Sequence, residues 1–120
     1  MQRILVIDDS AIILAAVKHT LEAAGYGCAT AGTFEELGEH DANAFDLVLM
    51  DVQMPELFGD DVGVALRQRG VTAPIYLFST LDERELDTRA KEAGLEGYIS
   101  KKRGMEHLVA ELARIIPASG

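Results

Sequence analysis

The stretch Ile4-Leu5-Val6-Ile7-Asp8-Asp9-Ser10 sets the reading of the whole chain: four apolar residues without a break, then an abrupt change to acidic and hydroxylic ones. Comparable apolar runs recur at Cys28-Ala29-Thr30-Ala31, Leu47-Val48-Leu49-Met50, Ile75-Tyr76-Leu77-Phe78 and, more weakly, Tyr98-Ile99. Continuous rather than alternating hydrophobicity predicts strands covered on both faces, the condition of a parallel sheet. The longer segments between them carry helical spacing. Leu14, Val17 and Leu21 fall on one face, with Gly25 placed to end that helix. Thr33-Phe34-Glu35-Glu36 and Thr80-Leu81-Asp82-Glu83 each read as a capping box. Met105, Leu108, Leu112 and Ile115 form the stripe of a last helix, which Pro117 ends. Strand and helix thus alternate five times. The expected architecture is α/β: a (βα)5, doubly wound, five-stranded parallel sheet whose right-handed crossovers place helices on both faces.

The 120 residues suffice for one core and not for two. We read residues 1–116 as a single domain and 117–120 as a C-terminal tail or the start of a linker. No apolar run approaches the length that crosses a bilayer, and Met1-Gln2-Arg3 leads straight into the first strand without the apolar stretch of a secretory signal. No membrane contact is expected. The single cysteine, Cys28, has no internal disulfide partner and reads as a buried, reduced thiol of a cytoplasmic protein. A net charge of −9 argues against direct nucleic acid binding, because phosphate contacts draw on Lys and Arg. His19, His40 and His107 are not spaced as metal ligands and read as surface residues of helices.

In an open parallel sheet, ligands gather beyond the carboxyl ends of the strands, near the point where strand order reverses. The residues just after the apolar runs are Asp8, Asp9 and Ser10, then Asp51, then Ser79 and Thr80, then Lys101 and Lys102. Three carboxylates, a hydroxyl and an ammonium are therefore expected on one edge. Crowded carboxylates repel and favour a shared cation. Mg²⁺ suits such a site, since it takes one or two carboxylates, keeps waters and shares a phosphate oxygen. An aspartate is also a competent nucleophile for an aspartyl-phosphate. That transfer needs an in-line acceptor and positive charge on the equatorial oxygens. Taken singly, each residue has a plainer role: Asp8 and Asp9 as helix caps, Thr80 as an N-cap, Tyr98 as a core aromatic, Lys101 as a solvated charge. The joint arrangement is what points to chemistry.

The Asp8-Asp9 pair, Asp51 followed by Met54-Pro55 and Gly59, Ser79, and Tyr98-Ile99-Ser100-Lys101 together resemble the response-regulator receiver domains of two-component signalling, CheY-like members of the flavodoxin-like folds. The resemblance runs from Ile4 to about Ile116. It implies that Asp51 is the phosphoacceptor. Mg²⁺ would be held by Asp9 directly, by Asp8 largely through water, by Asp51 itself and by the Gln53 backbone carbonyl. Lys101 would pair with Asp51 and then with the phosphoryl group. Ser79 would swing in to bond a phosphoryl oxygen, and Tyr98 would turn inward into the space vacated. The donor would be a histidine kinase, a phosphotransfer protein or a small phosphodonor. The domain would be a phosphoprotein that acts as a self-dephosphorylating switch rather than a turnover enzyme. A downstream protein partner is expected on the face built by the fourth helix (Asp82 to Ala93), fifth strand and fifth helix. Two copies would meet there too if phosphorylation drives dimerisation. The fourth helix has a thin apolar stripe of Leu86, Ala90 and Ala93, which suits it to repacking.

Two departures from the family pattern bear on the site. The usual proline after the lysine is Lys102 here, and a non-proline cis peptide costs about 3 kcal/mol. A trans link and a reshaped loop are expected, with Lys102 as a substitute for Lys101. Thr80 stands where the family carries a small residue, and its branched side chain would slow access to the acceptor. Two other readings stay open. One is a phosphate-independent pseudo-receiver that docks partners without switching, for which the missing proline speaks. The other is a haloacid-dehalogenase-like phosphohydrolase, against which stand Gln53 in place of a second Asp and a chain too short for a cap.

Overall fold

Each apolar run forms a strand: β1 (Arg3–Ile7), β2 (Gly27–Ala31), β3 (Leu47–Met50), β4 (Ile75–Ser79) and β5 (Gly97–Ser100). In this computed structural model, which describes residues 1–55 and 57–118, the helices are α1 (Ala11–Ala23), α2 (Phe34–Gly38), α3 (Gly59–Gln68), α4 (Glu83–Ala93) and α5 (Gly104–Ile115). The strands pair in parallel in the order β2-β1-β3-β4-β5, which is the doubly wound (βα)5 sheet. Of the expected tail, Ser119 and Gly120 lie outside the described residues.

Two cores explain why the runs are continuous. On one face Ile4, Val6, Leu47 and Leu49 pack against Val17 and Leu21 of α1 and Leu108 and Leu112 of α5. On the other, Leu5, Ile7, Val48 and Met50 meet Leu37 of α2, Val62 of α3, and Leu86 and Ala90 of α4. Successive side chains of a strand point to opposite faces, so a sheet covered on both sides needs every position apolar. β2 is an edge strand, and most of it is half-buried. Cys28 is accordingly half-buried rather than buried, contrary to the expectation from its apolar neighbours. Burial still pushes its thiol up to about 11, so it stays protonated at neutral pH.

Helix starts follow local hydrogen bonding. Ser10, not Asp8 or Asp9, caps α1, with Oγ accepting from the Ile13 N–H at 3.2 Å. Thr33 caps α2 as expected, and Glu36 reaches back to accept from the Gly32 N–H at 2.8 Å. The second capping box is corrected. Asp82 caps α4, accepting from the Arg84 N–H at 2.8 Å, and Thr80 is left exposed in the preceding turn. The carboxylate two residues nearer the helix wins the free N–H. His19 is an exposed residue of α1 and His107 a half-buried one of α5, but His40 lies past the end of α2, edge-on to Phe45 at 5.8 Å. Among the described residues, no helix is long and apolar enough to cross a membrane.

α4 is held by little apolar area. Leu86 and Ala90 are its buried residues, and only Leu86 is large. Leu86→Ala is expected to cost about 3 kcal/mol in urea unfolding. It should speed amide exchange across residues 83–93 more than in α1, which keeps both Val17 and Leu21.

Candidate functional site

Strand order reverses between β1 and β3, and the first residue beyond each is an aspartate. Asp8 is 1% exposed and Asp51 5%, while Asp9 is exposed. The ladders extend past the strands to fix both: the Asp8 N–H donates to the Ala31 carbonyl at 3.1 Å, and the Asp51 N–H to the Ile7 carbonyl at 2.9 Å. Asp8 also accepts from the Ser10 N–H at 2.9 Å, and Asp51 from the Gln53 N–H at 3.3 Å. Carboxylate oxygens of Asp8, Asp9 and Asp51 all lie within 4.8 Å of one another. Burial raises the Asp51 carboxyl above its ordinary range. The Lys101 charge opposes that, and the Asp8 and Asp9 charges add to it.

Lys101 enters from β5. Its ammonium bonds the Asp8 carboxylate, sits 3.6 Å from Asp51 Oδ1 and lies 5.4 Å above the centre of the Phe78 ring. The pairing implied with Asp51 is thus shared with Asp8, and Asp8 is the nearer partner. The departure after Lys101 does not displace it. Residues Lys101–Arg103 form a 3₁₀ turn in which the Ser100 hydroxyl accepts from the Lys102 N–H at 3.2 Å. Arg103 then pairs with Glu83 of α4 at 2.9 Å, and Gly104, the first residue of α5, takes φ +85°. No cis peptide occurs among the described residues, as expected for Lys-Lys. Lys102 is exposed and outside the carboxylate cluster, so the substitute role expected for it is corrected.

Gly59 fixes the loop behind the acid. A Cβ there would stand 1.9 Å from the Asp51 carbonyl oxygen and 2.8 Å from Met50 Cγ. The Gly59 N–H donates to the Val52 carbonyl at 2.9 Å, and Gln53 bridges Phe58 in antiparallel fashion. Only a residue without a side chain lets α3 start this close to the strand end. Ser79 is fully buried, and its hydroxyl accepts from the Leu81 N–H at 3.2 Å. Tyr98 is half-buried on the α4 side, where Glu83 and Asp87 lie near it, and burial raises its phenol. The sequence missed the Asp8–Lys101 bond, whose partners are 93 residues apart.

The donor set fits a small divalent cation: three carboxylate oxygens, the hard donors such an ion takes, lie close enough to one another to converge on a single ion.

Residues 4–113 match the response regulator receiver domain family. The chain is 31% identical over 119 residues to the alkaline phosphatase synthesis transcriptional regulatory protein PhoP of Bacillus subtilis, covering 98% of this chain and 50% of that protein. It spans about half the length of the curated transcriptional regulators it matches. Among solved structures it superposes on chemotaxis protein CheY4 of Vibrio cholerae with TM-score 0.85 and 32% identity, covering 97% of this chain and 99% of that one. It also superposes on response regulator TrrA of Thermotoga maritima, solved in complex with Mg²⁺ and BeF, with TM-score 0.79 and 28% identity, covering 97% and 100%.

Two outcomes follow from the crowding. A carboxyl raised by folding favours the native state only while protonated, so ionised Asp51 destabilises the metal-free domain at neutral pH. Asp51→Asn is expected to raise its thermal midpoint by a few degrees at pH 7, and the gap should close as pH falls through the carboxylate range. Gly59→Ala should lower the midpoint by several degrees and shift the amide signals of Asp51 and Val52 in nuclear magnetic resonance spectra.

Proposed function

The chain belongs to the response regulator receiver domains of two-component systems, and on that premise we propose that Asp51 is the phosphoacceptor of a Mg²⁺-dependent switch. The convergence of three carboxylates with Lys101 at the Asp51 end of the sheet carries this reading. An Asp51 carboxylate oxygen attacks phosphorus of a phosphohistidine on a kinase or phosphotransfer protein, or of a small phosphodonor. The bond to the donor breaks, its electron pair leaves with the donor, and an acyl phosphate remains. Asp8, Asp9, Asp51 and the Gln53 carbonyl are the proposed Mg²⁺ ligands, and the ion would supply charge neutralisation on the phosphoryl oxygens. Lys101 provides the second positive charge. It stands 3.6 Å from Asp51 and needs only to lean from Asp8 toward the new anion.

The switch then works through groups already in place. To reach a phosphoryl oxygen, the Ser79 hydroxyl gives up the Leu81 N–H. Tyr98 moves inward on the α4 side, and α4, β5 and α5 shift toward a second packing that a downstream protein partner reads. Phosphorylation-dependent pairing of two copies would use the same face. The domain is a switch that loses its phosphoryl group to water, not a turnover enzyme, and its place is the cytoplasm. Its own acidic surface does not take nucleic acid.

Intact-protein mass after incubation with acetyl phosphate tests this. We expect one added phosphoryl mass that requires both Mg²⁺ and Asp51 and is absent in Asp51→Asn. No adduct under conditions that trap short-lived acyl phosphates would favour the phosphate-independent docking module. Steady release of phosphate from small phosphoesters would instead point to a hydrolase.

A further inference from the structure

Arg89 joins parts of the molecule that the sequence keeps apart. From the middle of α4, its Nη1 lies 3.2 Å from both carboxylate oxygens of Asp60, in the first turn of α3. Its Nη2 is 3.6 Å from Glu85, and its guanidinium carbon stands 5.1 Å from the centre of the Phe58 ring. Phe58 and Asp60 are the two neighbours of Gly59, the residue pressed against the Asp51 carbonyl. Phe58 also closes the loop after Asp51 through its bridge to Gln53. One planar cation on α4 therefore grips both sides of the residue that abuts the acid's backbone. A planar guanidinium can pair with a carboxylate and lie over an aromatic ring at once, which an ammonium does less well. The grip stands out because α4 has so little apolar anchorage of its own.

We propose that Arg89 is a positioning residue that couples helix α4 to the phosphoacceptor loop. Held through Phe58 and Asp60, Gly59 keeps its place against the Asp51 carbonyl, and with it the Asp51 carboxylate and Gln53 stay in the geometry that a cation and a phosphoryl group require. Coupling between two sites through one shared element is reciprocal, so a change at Asp51 alters the hold on α4 to the same extent. This inference rests on the phosphoacceptor reading for its functional half only.

The test compares Arg89→Ala, Arg89→Lys and Arg67→Ala in the full chain. Arg67 is the control because it ties the far end of α3 to Glu96 and to the Val71 and Ala73 carbonyls, away from the acids. Three quantities are read: thermal midpoint, exchange of the Gly59 amide, and Mg²⁺ affinity by calorimetry. Arg89→Ala should speed Gly59 exchange about tenfold and weaken Mg²⁺ binding about threefold or more. Arg89→Lys should recover part of each, and Arg67→Ala should lower the midpoint while moving neither. Should Arg89→Ala fold poorly, Asp60→Asn removes the same ion pair with little change in shape and should shift both readouts in the same direction. The proposal is overturned if Arg89→Ala, or Asp60→Asn in its stead, leaves Gly59 exchange and Mg²⁺ affinity at the control's values. A wild-type chain that binds no Mg²⁺ and takes no phosphoryl group would overturn the phosphoacceptor reading instead, and Gly59 exchange would still decide the grip.

Discussion

Two carboxylates, Asp8 and Asp51, are withdrawn from water at the ends of adjacent strands, and the Lys101 ammonium between them is what lets the sheet close around the pair. An unpartnered buried charge costs several kcal/mol, more than most single contacts return. Here the compensating charge comes from β5, which is separated from β3 by the whole of β4. Lys101 spans that distance on a flexible stem, with its head over the Phe78 ring. The carboxyl edge of the sheet is thus one electrostatic unit assembled from three strands. Anything that alters the charge at Asp51 must be felt at Asp8 and in the loop that carries Lys101.

The compensation is incomplete, and that incompleteness is the site's working property. One ammonium faces two buried acids and a third exposed one, so the cluster retains negative charge that a divalent cation would cancel. Local rules of good packing are broken at functional sites and made up for elsewhere. In this chain the compensation comes from the cores on the two faces of the sheet, which bury every residue of β3 and all of β1 except Arg3. Gly59 belongs to the same logic. It gives up a side chain so that α3 can start against the Asp51 carbonyl, and this fixes the acid from behind.

The fold was legible because a parallel sheet covered on both faces demands continuous apolar runs, and those runs survive in sequence as short blocks such as Leu47-Val48-Leu49-Met50. The acids were legible for a related reason, since they sit at the first position after a block. Edge effects and local competition were harder to see. Cys28 looked buried because its neighbours are apolar, but the strand's place at the edge depends on pairing that no local window contains. The α4 cap went to Asp82 rather than Thr80 because two candidate oxygens competed for one turn, and their reach is a matter of geometry. The Asp8–Lys101 bond and the Arg89–Asp60 pair join residues 93 and 29 positions apart, and no spacing rule reports them.

The same contrast bears on where a switch can be expressed. β1, β3 and β4 are locked between two packed layers, and such cores do not deform continuously. α4 is attached differently, by one large apolar residue and by charged contacts at its rim: Arg89 to Asp60 and Arg103 to Glu83. An ion pair open to water, as that of Arg103 with Glu83 is, is weak and easily exchanged, and the half-buried pair of Arg89 with Asp60 is still polar, whereas buried leucines are neither. One of the two charged contacts joins α4 to the residues beside Gly59, and the other joins it to the turn that begins at Lys101. A new charge at Asp51 would pull on both at once. α4 carries charged links both to the residues beside Gly59 and to the turn that begins at Lys101, and under the proposed switch it is the helix where a change at Asp51 would be expressed.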